Sequence, residues 1–366
     1  MGGSERVFDA LAEAFPTADL LCLWNDRPDR YPGRRVEETW LAHTPLRRSK
    51  AAALPLLPST WRHRSGSYDW VLASSHLFAH HVSLRDSPVG WRKLAYVHSP
   101  ARYLWAPELD RRAASWAGRV VGTPLKALDR RRARELTAVA ANSQFVRNRI
   151  TRAWDVDSVV IYPPVDVARI RRPASWVDEL TVADAQTLAA LPADFLLGAS
   201  RLIPYKALDL VVRAGRICGL PVVLAGDGPE LERLVALADA SRVPVTTLGH
   251  VSDALLYALY ERCVAYVFPA IEDFGIMPVE AMAAGAAVVC GREGGVVESV
   301  VDGVSGSHVD FSDDRDIERG VRAAASLRGE GPRRVAQGFS HGRFIDEIRD
   351  FVGAAIGEGP QIGAAR

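Results

Sequence analysis

The sequence predicts an α/β protein built from two doubly wound, parallel-sheet domains in series. Three observations predict it. Apolar runs of four to eight residues alternate with helical patterns from end to end, as repeated strand–helix units around a parallel sheet require. Polar residues recur just after those runs, at the strand ends where open parallel sheets bind ligands. The chain has 366 residues, long for one domain and ample for two.

In the first half, Ser4 can cap a helix carrying Val7, Phe8, Leu11 and Phe15 on one face. Strands are expected at Leu20–Trp24, Trp70–Ala73, Leu94–Val97, Ala138–Ala141 and Val159–Ile161. The third is followed by His98-Ser99-Pro100, and the fourth by Asn142-Ser143 and a helix from Gln144. The pattern lapses over 165–193, which marks an interdomain segment. It resumes with strands at Phe195–Ala199, Val222–Ala225, Val245–Leu248, Ala265–Phe268 and Ala287–Cys290. Gly306–Val309 is a last short strand and 325–337 a loop. A helix over Phe344–Ile356 is expected to close the second domain, before a frayed tail. The expected division is 1–165, 166–342 and a C-terminal helix and tail over 343–366. A cleft between the two domains is the natural ligand site.

Composition narrows the class. The chain is 48% hydrophobic and 24% charged, with mean hydropathy −0.01, which excludes disorder and collagen-like structure. No apolar run approaches the ~20 residues of a spanning helix. Glu5, Asp9 and Glu13 interrupt the opening residues, so a signal peptide is not expected. Cys22, Cys218, Cys263 and Cys290 form no CxxC and fit small buried hydrophobes in a reducing cytoplasm. Residues 1–165 hold 25 Lys+Arg against 16 Asp+Glu and carry +9; the remainder carries −8. Within the basic half, Arg111, Arg112, Arg119, Lys126, Arg130, Arg131, Arg132 and Arg134 lie among Trp105, Trp116, Val120, Val121 and Leu125. That mixture suits peripheral contact with an anionic membrane, such as the inner face of the plasma membrane, or simply a solvated helix face. No nucleic-acid partner is expected.

The most informative stretch is Glu272-Asp273-Phe274-Gly275-Ile276-Met277-Pro278-Val279-Glu280. It follows a predicted strand, and Pro278 suits a first helical turn. Glu272 therefore lies by the exposed N–H groups of a helix start, with Glu280 about one turn inside. The two carboxylates can bracket a ligand, with the helix dipole favouring an anion beside them. The alternative is a capping Glu272 and a solvated Glu280. Arg201 and Lys206 form a second cluster after a strand end. A guanidinium fork and a mobile ammonium together can hold a diphosphate; the alternative is two solvated cations. Asp155-Val156-Asp157 matches a metal-binding pattern but reads as solvated. His76 and His80 read as helix-face histidines rather than zinc ligands. Gly226-Asp227-Gly228 lacks the third glycine of a dinucleotide fingerprint. No metal and no cofactor are expected.

Gly-x-x-Arg-Leu-x3-Lys from Gly198, Ala225-Gly226-Asp227-Gly228-Pro229, Gly249-His250-Val251 and Glu272-x7-Glu280 running on to Gly285 stand in one order. In that order the C-terminal half resembles the donor-binding domain of retaining family-4 glycosyltransferases. Gly2-Gly3-Ser4-Glu5-Arg6-Val7-Phe8, Tyr96-Val97-His98-Ser99-Pro100-Ala101-Arg102-Tyr103 and Ala141-Asn142-Ser143 resemble the O-antigen-type mannosyltransferase-like branch. The resemblance implies the GT-B fold: two Rossmann-like domains with an interdomain cleft. It implies that Arg201 and Lys206 hold the diphosphate of a nucleotide sugar. Glu272 would contact the transferred sugar, helped by the N–H groups of Phe274, Gly275 and Ile276. Glu280 would accept from the ribose, Val251 would lie beside the base, and His98 would meet the sugar or leaving phosphate. Gly2 and Gly3 would turn toward the phosphate or acceptor.

The expected activity is retaining transfer of a sugar, mannose leading, to a hydroxyl of a glycan, lipid-linked glycan or metabolite. A GT-B nucleotide-sugar 2-epimerase and a non-catalytic binding subunit are the rivals. Asp253, two residues past Val251, can accept from both N1–H and the 2-amino group of guanine, which favours GDP-mannose over UDP sugars. The family's first strand, ahead of the Gly-Gly loop, is missing from this sequence. A natural start about ten residues upstream, carrying a strand of five to seven residues, is therefore expected.

Overall fold

A computed structural model describes residues 3–48, 50–105, 116–239 and 243–357. Contacts divide the chain into two compact units, Met1–Tyr162 with Phe344–Arg366, and Pro163–Arg343.

Among its described residues the second unit holds six parallel strands: β7 (Leu196–Ala199), β8 (Val222–Ala225), β9 (Val245–Thr247), β10 (Ala265–Phe268), β11 (Val288–Cys290) and β12 (Gly306–His308). Their spatial order is β12-β11-β10-β7-β8-β9. Counted within the unit this is the doubly wound order 3-2-1-4-5-6 read from the far edge. Helices cover both faces, so these strands are short continuous apolar runs rather than alternating ones. Leu196, Val222, Val267 and Val289 bury against Val211 and Ala214 of the helix Asp209–Cys218 and against Ile317 and Val321 of Asp314–Ala325. The chain order reverses between β7 and β10. Ligands bind outside the strand ends at such a switch point, and there Arg201, Lys206 and Glu272 sit.

The first unit holds β1 (Leu20–Cys22), β2 (Val36–Glu38), β3 (Trp70–Ser75), β4 (Arg92–Val97), β5 (Ala138–Ala141) and β6 (Val159–Val160). β3-β4-β5-β6 form one parallel sheet, while β1 and β2 pair separately. A cavity of about 460 Å³ lies between β1 and β3, lined among others by Phe8, Leu11, Phe15, Leu21, Trp61 and Trp70.

Several expectations are corrected. The helix Gly3–Ala14 takes in Ser4, which therefore lies inside its first turn instead of ahead of it. The span 165–193 is no linker. It forms the helices Val167–Arg171 and Val182–Ala189 of the second unit, and the Trp176 ring packs tilted against that of Tyr257, centre to centre 4.7 Å. Residues 330–337 are helical, since Pro332 falls in the first turn, where a missing N–H costs nothing. From Phe344 the C-terminal helix packs in the first unit, not the second. Phe344, Ile345 and Ile348 bury against Val7, Ala10 and Tyr96, with the Tyr96 and Phe344 rings edge-on at 5.5 Å. β2 was not foreseen; three half-buried residues give too short a pattern. Of the cysteines, Cys263 and Cys290 are buried, but Cys22 and Cys218 are only partly so.

Candidate active site

In the second unit, the loops after β7, β8 and β9 are knitted by main-chain hydrogen bonds. Ser200 N–H donates to Ala225 O (3.0 Å), Leu202 N–H to Asp227 O (2.9 Å) and Gly226 N–H to Gly249 O (2.7 Å). The Gly226-Asp227-Gly228 turn is fixed by this contact. A Cβ on Gly226, at φ +134°, would stand 1.8 Å from Ser200 O. So the two glycines bring backbones together and are not a dinucleotide fingerprint.

The 3-10 turn Pro204–Lys206 follows, closed by Ala207 at φ 49°, a left-handed conformation uncommon outside glycine. It turns Lys206 inward. The residue is 7% exposed. Its Nζ lies 5.5 Å from the Tyr205 ring centre and 5.6 Å from that of Phe268, at cation–π distance. It pairs directly with Glu272 Oε1. Arg201 stays exposed and donates to Tyr205 Oη at 3.3 Å.

Glu272 is set by its backbone. Gly295 N–H donates to Glu272 O at 2.7 Å, and a Cβ on Gly295 would lie 2.1 Å from Asp273 O. Phe274 is buried beside Phe339, and Gly275, at φ +88°, is the N-cap of the helix Ile276–Ala284. The N-cap position is held by Gly275, so Glu272 is not the helix's N-cap residue. Glu280 is buried in it. Tyr266 ties the two strand ends together by donating to Ala199 O at 2.8 Å.

Val251 is half-buried. Asp253 opens the helix Asp253–Arg262, capped by Ser252 Oγ, which accepts from Leu255 N at 3.1 Å. The Asp253 carboxylate meets Arg169 at 3.1 Å, in a pair about half exposed on each side. Solvent makes such a pair worth little, so a ligand can displace it.

In the first unit, His98 follows β4. Its N–H donates to Ser75 O at 2.9 Å, and its Nε2 lies 2.8 Å from Ser74 Oγ. Burial, with the nearby His76 adding to it, lowers its pKa to about 3, so the ring is neutral. Gly3 is the exposed first residue of its helix; Gly2 lies outside the described residues.

His76 and His80 are not partners on one helix face. His76 is exposed, whereas His80 is buried in the 3-10 turn Ala79–His81. Beneath it lies a cluster that the sequence did not reveal. Asp129, fully buried, has Oδ1 2.9 Å from His81 Nε2 and 3.1 Å from His80 Nε2. Its Oδ2 accepts from the indoles of Trp105 and Trp154, both at 2.7 Å. Burial lowers the His81 pKa to about 4. Burial would raise that of Asp129, but its imidazole and indole partners hold it well below the usual carboxylate range. The ligand atoms of His80, His81 and Asp129 lie within 4.8 Å of one another. Four nitrogens surround the carboxylate, and those of His81, Trp105 and Trp154 hydrogen-bond to it, so we read a structural hub. Asp155 and Asp157 pair with Arg134 and Arg147 at the surface, as solvated groups do.

Of the basic cluster, the side chains of Arg111, Arg112, Trp116, Arg119, Val120 and Val121 lie outside the described residues. Lys126 and Arg130 stack on Trp105, and Arg132 and Arg134 pair with Glu135 and Asp155. Among the described residues, no helix is long and apolar enough to cross a membrane.

Comparison with known proteins extends this picture. Residues 183–338 match the family described as Glycosyl transferases group 1, and residues 1–169 match Glycosyltransferase Family 4. A GDP-mannose-dependent alpha-(1-6)-phosphatidylinositol monomannoside mannosyltransferase of Mycobacterium tuberculosis is 32% identical over 213 residues, 54% of each chain. A D-inositol 3-phosphate glycosyltransferase of Mycolicibacterium smegmatis is 33% identical over 181 residues, 45% of this chain and 41% of its own. The chain thus spans about half the length of the curated relatives it matches. Among solved structures, Anabaena HepE in complex with UDP-glucose superposes with TM-score 0.68 at 19% identity, covering 97% of this chain and 96% of that one. Sucrose-phosphate synthase from Thermosynechococcus elongatus gives 0.65 at 19% identity, covering 96% and 92%. At such identity these likenesses speak for the fold alone.

Proposed function

The chain belongs to the family-4 glycosyltransferases of GT-B fold, and from that premise we propose that it is a retaining glycosyltransferase taking a sugar from a nucleotide diphosphate sugar to a hydroxyl acceptor. The observation that carries the proposal is Lys206, a buried cation at the sheet's switch point, held directly against Glu272 ahead of the helix Ile276–Ala284.

The bond to break joins the anomeric carbon to a diphosphate oxygen. Negative charge grows on that oxygen, so pre-positioned cations lower the barrier. Lys206 is already desolvated, which strengthens its field; Arg201, exposed, closes on the phosphates as a bidentate fork. Glu272 binds hydroxyls of the departing sugar and anchors Lys206 between turnovers. Its pairing with a lysine suits that role better than the role of nucleophile. Glu280 receives the ribose, Val251 flanks the base, and the N–H groups of Phe274, Gly275 and Ile276 steady the sugar. His98, being neutral, serves as a hydrogen-bond partner for sugar or phosphate oxygens rather than as a cation.

GDP-mannose is the proposed donor. The Asp253 carboxylate supports it, because guanine offers two N–H donors where uracil offers one, and the mycobacterial relative is named for GDP-mannose. The acceptor is proposed as a lipid-linked glycan or polyol phosphate. Nucleotide sugars incubated with purified protein, with and without inositol phosphate and phosphatidylinositol acceptors, test the reading. Sugar transfer with α configuration supports it. An epimerised nucleotide sugar formed without acceptor points to an isomerase, and no turnover of any donor points to a binding subunit. Calorimetric binding of UDP as tight as that of GDP rejects the guanine preference.

A further inference from the structure

We propose that Ser74 is a positioning residue that fixes the tautomer of His98, so that the ring offers a protonated Nδ1 to its ligand. The register of the sheet brings the two together. Ser74 on β3 pairs with Tyr96 on β4, two residues before His98, so both side chains rise on one face at the strands' carboxyl ends. Ser74 Oγ lies 2.8 Å from His98 Nε2.

A neutral imidazole has one donor nitrogen and one acceptor. Ser74 Oγ has no other hydrogen-bond partner among the described residues, so Nε2 is the protein acceptor in reach of its proton. If Nε2 accepts, Nδ1 carries the ring proton. No described residue hydrogen-bonds Nδ1, and that atom is not among the buried unpartnered ones. It is therefore the nitrogen open to a ligand. A donor N–H suits the oxygens of a sugar hydroxyl or a phosphate, whereas a bare lone pair would oppose a phosphate.

The geometry is held from behind. The main-chain N–H of His98 donates to Ser75 O, and Ser75 Oγ lies 2.9 Å from His80 Nδ1, whose other nitrogen faces Asp129. Ring and backbone of His98 are thus gripped by adjacent residues of one strand. Ser75 and the Asp129 hub fix that strand end, and Ser74 chooses the proton.

The inference rests on the reading that His98 takes part in transfer, and its test separates the two. Histidine is labelled with ¹⁵N, and His98 is assigned by its loss in His98→Gln. Long-range ¹H–¹⁵N correlation is expected to show the Nδ1–H tautomer in the native protein. Ser74→Ala is expected to shift the population to Nε2–H, and Ser74→Thr to restore the native pattern. In transfer assays Ser74→Ala is expected to lower kcat about tenfold with little change in donor KM, and to add nothing in a His98→Ala background. A native Nε2–H tautomer, or a tautomer unmoved by Ser74→Ala, overturns the proposal. A tautomer that moves while kcat does not upholds the control by Ser74 and overturns the role of His98 in transfer.

Discussion

At the scale of single residues, the pair of Lys206 and Glu272 is shielded from water as an exposed ion pair is not. Its side chains are 8% and 18% exposed, whereas those of Arg169 and Asp253 are 50% and 58% exposed. Removing one partner of a buried pair strands the other charge in a poorly solvated place, at a cost on the order of 3 kcal/mol. Removing one partner of an exposed pair costs under about 1 kcal/mol. Urea denaturation should therefore separate Lys206→Met from Arg169→Ala by more than about 2 kcal/mol. Equal midpoints would show that water screens the inner pair as well. Arg201, Lys206 and Glu272 are candidates from the sequence alone because charged residues in the loops after apolar strands stand where open parallel sheets bind ligands. Their mutual pairing was not legible there, because 66 positions separate Lys206 from Glu272 and only the sheet order brings them together. The Asp129 hub was illegible for a related reason. Histidine, tryptophan and aspartate all have common surface uses, and nothing in their spacing says that four of them face one buried carboxylate.

At the scale of elements, strands and their following loops were readable, since a parallel strand buried on both faces leaves a continuous apolar run. Short or amphipathic elements were not. The stretch 167–189 reads as a linker because its helices are only five and eight residues long, and 330–337 as a loop because Gly331 and Pro332 look like breakers. Loop geometry was the other hidden layer. Gly295 supports Glu272 by close backbone approach, a role that no residue pattern announces. Gly295→Ala forces a Cβ toward main-chain atoms that cannot rotate aside, which should cost about 1–3 kcal/mol and displace Glu272. Gly291, four residues earlier, has open space at its Cβ and serves as the control. Differential scanning calorimetry with donor-turnover assays checks the pair. Gly291→Ala should stay near native, while Gly295→Ala loses both stability and kcat. Indistinguishable variants would mean that the 291–295 loop does not hold Glu272.

At the scale of the whole molecule, the first unit stores a dependence on pH. His81 and His98 are neutral when folded, with pKa values lowered by burial to about 4 and about 3. Unfolded, each takes a proton below its ordinary value near 6.5. The unfolded chain thus binds more protons between about pH 6.5 and 4, so stability is full above that window and falls as pH drops through it. Asp129, depressed in the folded state, adds a loss in the same direction at lower pH. Unfolding free energy measured from pH 7 to 4.5 should decline, and His81→Gln should flatten the decline by on the order of 2 kcal/mol. An unchanged slope would mean that His81 is charged in the folded protein.

The proposed function makes one central chemical claim, that the switch-point pair acts on the bond between an anomeric carbon and a diphosphate. The most direct measurement follows GDP-mannose by NMR in the presence of acceptor, for the native protein and Glu272→Gln. The native protein should release GDP and form an α-linked product. Glu272→Gln should bind GDP-mannose about as well, yet turn over about 10²–10³-fold more slowly. A near-native rate for Glu272→Gln would contradict the account.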